Sequence, residues 1–462
     1  MLISAFLNGC AVGPEYKTPE LPTIDRYTAS PLAVEQDFAE KEDIPRQWWR
    51  LFHSKPLNNI IKKALAANPD LKAAHASLRK AQEMVYAQIG AYYPSLAAGA
   101  AFQRQKTAKG IQPFTDAGDL IYSLYSGQVS ISYIPDVFGS NKKAVESLTA
   151  RAEAERYELE AVYLTLTSNV VATVVQEASL RSQISATKKL IKISTELFEL
   201  FKKQESLGDI SHADTTAQEA VLARILQDLP PLEKKLAQTR NQLTVLMGEY
   251  PSNEIKQLFD LESLNLPNKL PISIPSKLVE RRPDVKAAEE NLRAANAEIG
   301  IAMANRLPNV NITANFGTNA LSSNNLFNSG ASVWGLAAGI AQPIFQGFSL
   351  MHKQHAAVAA FNEAGAKYRS AVINAFRNVA DALQALDADT RAFKASLYAE
   401  RTAKRNLEFA RKQWLLGDES YLSLVNAQED YEQALIDLIL VKANRLSDAV
   451  ALFQALGGGW IS

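Results

Sequence analysis

The chain has 462 residues, with 49 Lys plus Arg against 49 Asp plus Glu, a formal net charge of zero and 47% hydrophobic residues. That balance leaves no electrostatic footprint for nucleic acid or another strongly charged partner, and no run of about 18 apolar residues marks a membrane-spanning helix. P-loop, Walker, GxSxG and Cys/His zinc patterns are absent, so the sequence carries no visible engine and reads as a non-enzyme without a cofactor.

From the N-terminus, Phe6-Leu7-Asn8-Gly9-Cys10-Ala11 contains the only cysteine of the chain. A short apolar run, a small residue and a cysteine resemble the lipobox of bacterial lipoproteins, which makes residues 1–9 a signal remnant and Cys10 the expected lipidation site. The segment is short and lacks a basic leader, which leaves room for a start further upstream. Residues 10–47 are rich in Pro, Glu, Asp, Thr and Ser, the composition of an extended tether.

The first repeat is expected over 48–247. A helix containing Asn68-Pro69-Asp70-Leu71-Lys72-Ala73-Ala74 runs to Pro94. A hairpin follows over 94–134, because Leu96, Ala98, Ala100 and Phe102 share one parity and Val129, Ile131 and Tyr133 alternate with Gln128, Ser130 and Ser132. Such alternation means strands with one apolar and one polar face, and runs of this length are the weak signature of an outer-membrane barrel. After Pro135 and Gly139 the period becomes 3.6, with no Pro or Gly from Ser140 to Leu207. A helix over 140–207 would be roughly 100 Å long and needs coiled-coil partners along its stripe. Gly208 caps it, and a return helix spans 212–247, with a break or kink expected at Pro230-Pro231.

An equatorial segment over 248–275 leads to the second repeat, 276–456. Arg282-Pro283-Asp284-Val285-Lys286-Ala287-Ala288 copies the earlier motif, and 283 minus 69 equals 308 minus 94, both 214. A second hairpin over 308–343 has Val310, Ile312, Ala314 and Phe316 against Asn309, Asn311, Thr313 and Asn315. Long helices follow over 347–416 and 420–456, separated by Gly417, before a tail over 457–462. Between the turns and the motifs Ala217-Gln218-Glu219 and Ala427-Gln428-Glu429 the offset moves from 209 to 210, so the second copy has one extra residue just after its turn. Four strands cannot close a barrel, and an open edge cannot face lipid, so an oligomer is required. Two, three or four chains would all satisfy the strands.

Two clusters have reactive residue types. Ser211, His212 and Asp214 are triad types at a helix start, where neighbours in sequence seldom reach triad geometry; Asp214 suits the positive helix end. Met351, His352 and His355 form a weak candidate for a soft metal on one helix face. Tyr92, Tyr93 and Tyr133 at one end of the strands and Tyr122, Tyr125 and Trp334 at the other suit interfacial girdles. The loops 105–121 and 318–331 are expected outside.

Taken with Cys10-Ala11-Val12-Gly13-Pro14-Glu15-Tyr16, Trp48-Trp49-Arg50-Leu51-Phe52, Leu229-Pro230-Pro231-Leu232-Glu233-Lys234-Lys235, Arg281-Arg282-Pro283-Asp284 and Gly457-Gly458-Gly459-Trp460, the chain resembles the outer-membrane factor family of tripartite efflux pumps, the lipid-anchored TolC and OprM type. The resemblance covers almost the whole chain. It implies an α+β membrane protein: a homotrimer whose twelve strands close a β-barrel in the outer membrane and whose twelve helices continue it as a periplasmic α-barrel. It implies a passive exit duct for small toxic compounds, whether drugs, dyes or metal ions, delivered by an inner-membrane pump through a periplasmic adaptor, with outer-membrane lipid around it and a lipid on Cys10. The alternatives are a duct for type I protein secretion and a periplasmic coiled-coil scaffold without a pore. The family places adaptor docking at the glycine turns, here Lys203, Gln204, Leu207 and Gly208 with Lys412, Gln413, Leu416 and Gly417. Its aperture carries an Asp immediately before Ala-Gln, where this chain has Asn426; Leu422, one turn earlier, should project the same way.

Overall fold

The computed structural model describes residues 12–20, 24, 26–29, 37–40, 44–107, 120–253, 255–266, 269–272, 278–279 and 281–459. Cys10, much of the expected tether, most of the loop 105–121 and the last residues of the tail lie outside them. Two units emerge. One combines Met1–Pro19, Leu78–Glu155 and Ala288–Tyr368, the other Glu20–Ser77, Arg156–Ala287 and Arg369–Ser462.

The helices are α1 (Lys55–Ala67), α2 (Pro69–Ile89), α3 (Ser140–Leu207), α4 (His212–Leu246), α5 (Pro283–Ala304), α6 (Ser349–Leu416) and α7 (Tyr421–Ala455). Among the described residues no helix is long and apolar enough to cross a membrane. α3 and α6 each have 68 residues, and α4 and α7 each have 35. In α1 the pattern is simple: Ser54 accepts the Leu57 N–H at the start, and Leu57, Ile60, Ile61 and Ala64 form the buried stripe. Spacings of three and four put these on one face.

Strands β1 (Asp37–Glu40) and β4 (Lys269–Ile272) form a short parallel pair. The other sheet contains β2 (Ser95–Thr107), β3 (Leu120–Tyr133), β5 (Asn309–Ala320) and β6 (Ser332–Ala341), antiparallel in the order β2-β3-β5-β6. β3 begins earlier than the alternation from Gly127 suggests, and β2 and β5 reach into segments expected as loops, because the ladder pairs Thr107 with Leu120 and Tyr125 with Ala320. Main-chain pairing extends the hairpins where side-chain alternation has faded.

Register sorts the side chains. Leu96, Ile131, Ala314 and Leu336 are opposite one another across all four strands, as are Ala98, Val129, Phe316 and Trp334. Direct opposition puts each row on one face. The other face presents Ser95, Ser132, Thr313 and Ala337 in one row and Gly99, Gln128, Gly317 and Val333 in another. The apolar face is uncovered, with Trp334 79%, Ile340 75% and Leu96 71% exposed.

In the second unit Trp48 and Phe52 are fully buried, and the Trp48 ring is 5.4 Å from that of Phe453 at the end of α7. Two similar contacts tie a helix start to a helix end. Asn68, just before Pro69, donates its side-chain N–H to the Leu246 carbonyl at the end of α4 (3.0 Å), and Arg282, just before Pro283, donates to the Ala455 carbonyl at the end of α7 (3.0 Å). Beside them, a Cβ on Gly248 would meet the Ala67 carbonyl oxygen at 2.6 Å, and one on Gly457 the Arg281 oxygen at 2.8 Å.

The expected break at Pro230-Pro231 does not occur: α4 runs through both prolines as one helix. The carbonyls that lose their N–H partners are those of Leu226 and Gln227. Both residues and both prolines are exposed, so water can satisfy the freed groups.

Candidate functional site

The two helix reversals are built alike. Gly208 and Gly417 have φ of 83° and 80°, the left-handed region that glycine tolerates. The Gly208 N–H donates to the Glu205 carbonyl and that of Asp209 to Gln204, both at 2.9 Å; the Gly417 N–H donates to Trp414 and that of Asp418 to Gln413, both at 3.0 Å. This is the Schellman pattern, which satisfies the last carbonyls of a helix and turns the chain.

Ser211 and Ser420 cap the return helices. Both caps follow their glycine by three residues, so the turns are of equal length. Yet buried Thr215 and Leu222 follow Ser211 by four and eleven residues, whereas buried Val425 and Glu432 follow Ser420 by five and twelve. The one-residue shift in offset therefore falls in the first turn of α7, before Asn426.

The triad types do not form a triad. Ser211 and Asp214 make a capping box, with Ser211 Oγ donating to Asp214 at 2.7 Å. The Ser211 hydroxyl and N–H hold the Asp214 carboxyl below its usual range. His212 Nδ1 faces Glu205 at 2.8 Å, away from Ser211, and Glu205 is likewise held down, first by the Thr215 hydroxyl and then by His212.

Gln204, Leu422 and Asn426 come together along a groove of about 390 Å³, with Phe201, Gln218 and Glu429 among its other walls. The end of α3 supplies Phe201 and Gln204, the start of α4 Gln218, and the start of α7 Leu422, Asn426 and Glu429. Beneath the groove Leu197, Phe201 and Val425 form a small core with Ile193 and Ile210. Val425 is buried in that core, while Leu422, 55% exposed, and Asn426, also exposed, flank it at the groove. Lys203, Leu207 and Gly208 are exposed at the first turn, and Lys412, Gln413, Leu416 and Gly417 at the second. The second set does not line the groove.

Sequence reasoning passed over Phe201, Gln218 and Glu429. The repeated Ala-Gln-Glu motif was the available signal: Gln218 is buried with Nε2 unpartnered among the described residues, and Glu429 Oε1 is equally enclosed. One turn further, burial raises the Glu432 carboxyl, an effect opposed by Lys189 and by the Gln428 amide.

Elsewhere, His352 and His355 have ring centroids 6.0 Å apart on an exposed stretch of α6 beside half-buried Met351. Among the described residues no three His, Cys, Asp or Glu side chains converge as metal ligands. Tyr133 is at the end of β3 that leads to α3, while Tyr122 and Tyr125 are at the other end; Tyr92 and Tyr93 follow α2 and are exposed.

A family model described as outer membrane efflux protein matches residues 60–249 and again 274–458. The chain is 27% identical over 470 residues to the probable efflux pump outer membrane protein TtgC of Pseudomonas putida, covering 100% of this chain and 95% of that protein. It is 25% identical over 462 residues to the cation efflux system protein CusC of Escherichia coli, covering 99% and 97%. In fold it is similar to the Campylobacter jejuni CmeC outer membrane channel, with a TM-score of 0.89 at 22% identity, covering 98% of this chain and 95% of that one.

Proposed function

The chain belongs to the outer membrane efflux protein family, and from that premise we propose that three copies of it close into one passive exit duct. It is an outer-membrane efflux component, and small toxic compounds leave through it. The observation that carries the reading is the four-stranded sheet with one largely apolar and one more polar face. β2 and β6 each have a single neighbour in it. From Leu96 to Phe102 the apolar face spans about 20 Å of strand, close to the ~25 Å band of outer-membrane barrels. In lipid the open edges must pair, and further copies of the chain supply the missing strands.

The polar face then lines the passage, where Gly99, Gly317, Gly335 and Gly339 leave the bore wide. The repeated family match, the equal helix lengths and the twin contacts at Asn68 and Arg282 support an internal duplication. Three two-fold repeats give a pseudo-sixfold tube. A periplasmic adaptor docks at the exposed turns, Lys203, Gln204, Leu207 and Gly208 with Lys412, Gln413, Leu416 and Gly417, and links the duct to an inner-membrane pump, the energy source. Leu422 and Asn426 narrow the aperture, and a lipid on Cys10 anchors the chain.

Deletion of the gene in a strain with no redundant duct should raise susceptibility to dyes, detergents, antibiotics or copper, and the plasmid-borne chain should restore resistance. Unchanged susceptibility across that panel contradicts efflux. Restoration by a Met351, His352 and His355 triple alanine variant for every compound but copper would assign those residues to metal.

A further inference from the structure

The N-terminal segment is held at one place by contacts of an unusual kind. The Val12 N–H donates to the Phe138 carbonyl at 3.2 Å, just beyond the end of β3. Gly13 has φ of 120°, and a Cβ on it would lie 2.6 Å from the Gly300 Cα in α5. No side chain can occupy that gap. The reverse substitution fares little better, since a Cβ on Gly300 would meet the Val12 carbonyl oxygen and the Lys143 Cγ, each at 2.9 Å. One helical turn earlier, Asn296, 3% exposed, donates its side-chain N–H to the Pro14 carbonyl at 3.1 Å. Tyr16 follows half-buried, and burial, with Glu289 next in effect, raises its hydroxyl pKa.

We propose that α5 and the turn between β3 and α3 form a seat for the chain's own residues Val12 to Tyr16, and that this seat fixes where the N-terminus meets the membrane. Two glycines in backbone contact act as the lock, and the buried Asn296 amide reads the main chain rather than a side chain. Cys10 is two residues before Val12 in the sequence, a reach of at most about 7 Å of extended chain. A long tether would let a lipid anchor wander; the seat holds it beside the base of the sheet. This rests on the reading that the sheet spans the outer membrane and that Cys10 carries lipid.

The test is hydrogen exchange on the full-length protein in outer-membrane detergent extracts, read at the amides from Val12 to Lys17. The wild type should exchange Val12 at least about tenfold more slowly than an unstructured peptide. Gly13→Val, a change outside every helix and strand, should abolish that protection while α5 and the strands stay protected. Asn296→Ala should weaken it in part. Cys10→Ser should leave it intact, because the seat does not need the lipid. Fast exchange at Val12 in the wild type, unchanged protection in Gly13→Val, or loss of protection in Cys10→Ser would each overturn the seat. The mass of the N-terminal peptide reports lipidation separately, so an unmodified Cys10 with a protected Val12 would remove the anchor and keep the seat.

Discussion

Asn426 stands where the family implies an acid, and its exposed position beside Leu422 makes the consequence measurable. An amide ring attracts cations less than a carboxylate ring does. Asn426→Asp should therefore raise cation selectivity, read as a shift of reversal potential in a salt gradient; no shift would remove Asn426 from the pore lining. Leu422→Ala should enlarge the conductance step by removing bulk. At the other extreme of burial, Trp48 is fully enclosed against Phe52 and Phe453. Trp48→Ala should cost about 3–5 kcal/mol, seen as a lower denaturation midpoint with the slope unchanged.

The helices carry their own pH dependence. Asp448 of α7 is pushed up to about 7, first by burial and then by hydrogen bonding to and repulsion from Asp389 of α6. Arg445, one turn before it, is engaged with Thr390 and the Phe393 ring. Asp387 is paired with Arg391, and Arg282 with Asp284. In the unfolded chain Asp448 ionises near pH 4, so between about pH 4 and 7 the folded state binds more protons, and stability falls as pH rises through that window. Asp448→Asn should therefore raise the melting temperature at pH 8 and change it little at pH 4.

What could be read in advance follows the range of the interactions. Helix caps and turns are local, so Gly208 and Gly417 announced both reversals, and the alternation from Asn309 to Phe316 announced β5. Register is not local. That Leu96, Ile131, Ala314 and Leu336 share a row needs the pairing of β3 with β5, between residues nearly two hundred apart in the chain. Pro230-Pro231 does not break α4, which propensity does not foretell because it cannot tell an exposed helix face, where water takes up lost hydrogen bonds, from a buried one. The groove at Gln204 was hidden for a similar reason: Phe201, Gln218 and Glu429 come from three helices that only packing brings together.

At the scale of the whole molecule the proposed duplication pairs two contacts of similar place and different chemistry. The first uses a neutral amide, Asn68, and the second a guanidinium that also grips Asp284. Arg282→Ala, which leaves a carbonyl and a carboxylate without their charged partner, should cost about 2 kcal/mol, and more than Asn68→Ala; equal thermal shifts would mean that the difference is idle. The central claim is that copies of this chain enclose a continuous passage, and single-channel recording of the purified protein in planar bilayers tests it most directly. The account predicts stepwise currents, larger in a Leu422→Ala, Asn426→Ala double variant than in the wild type. An absence of steps from both proteins at every voltage and pH would contradict it.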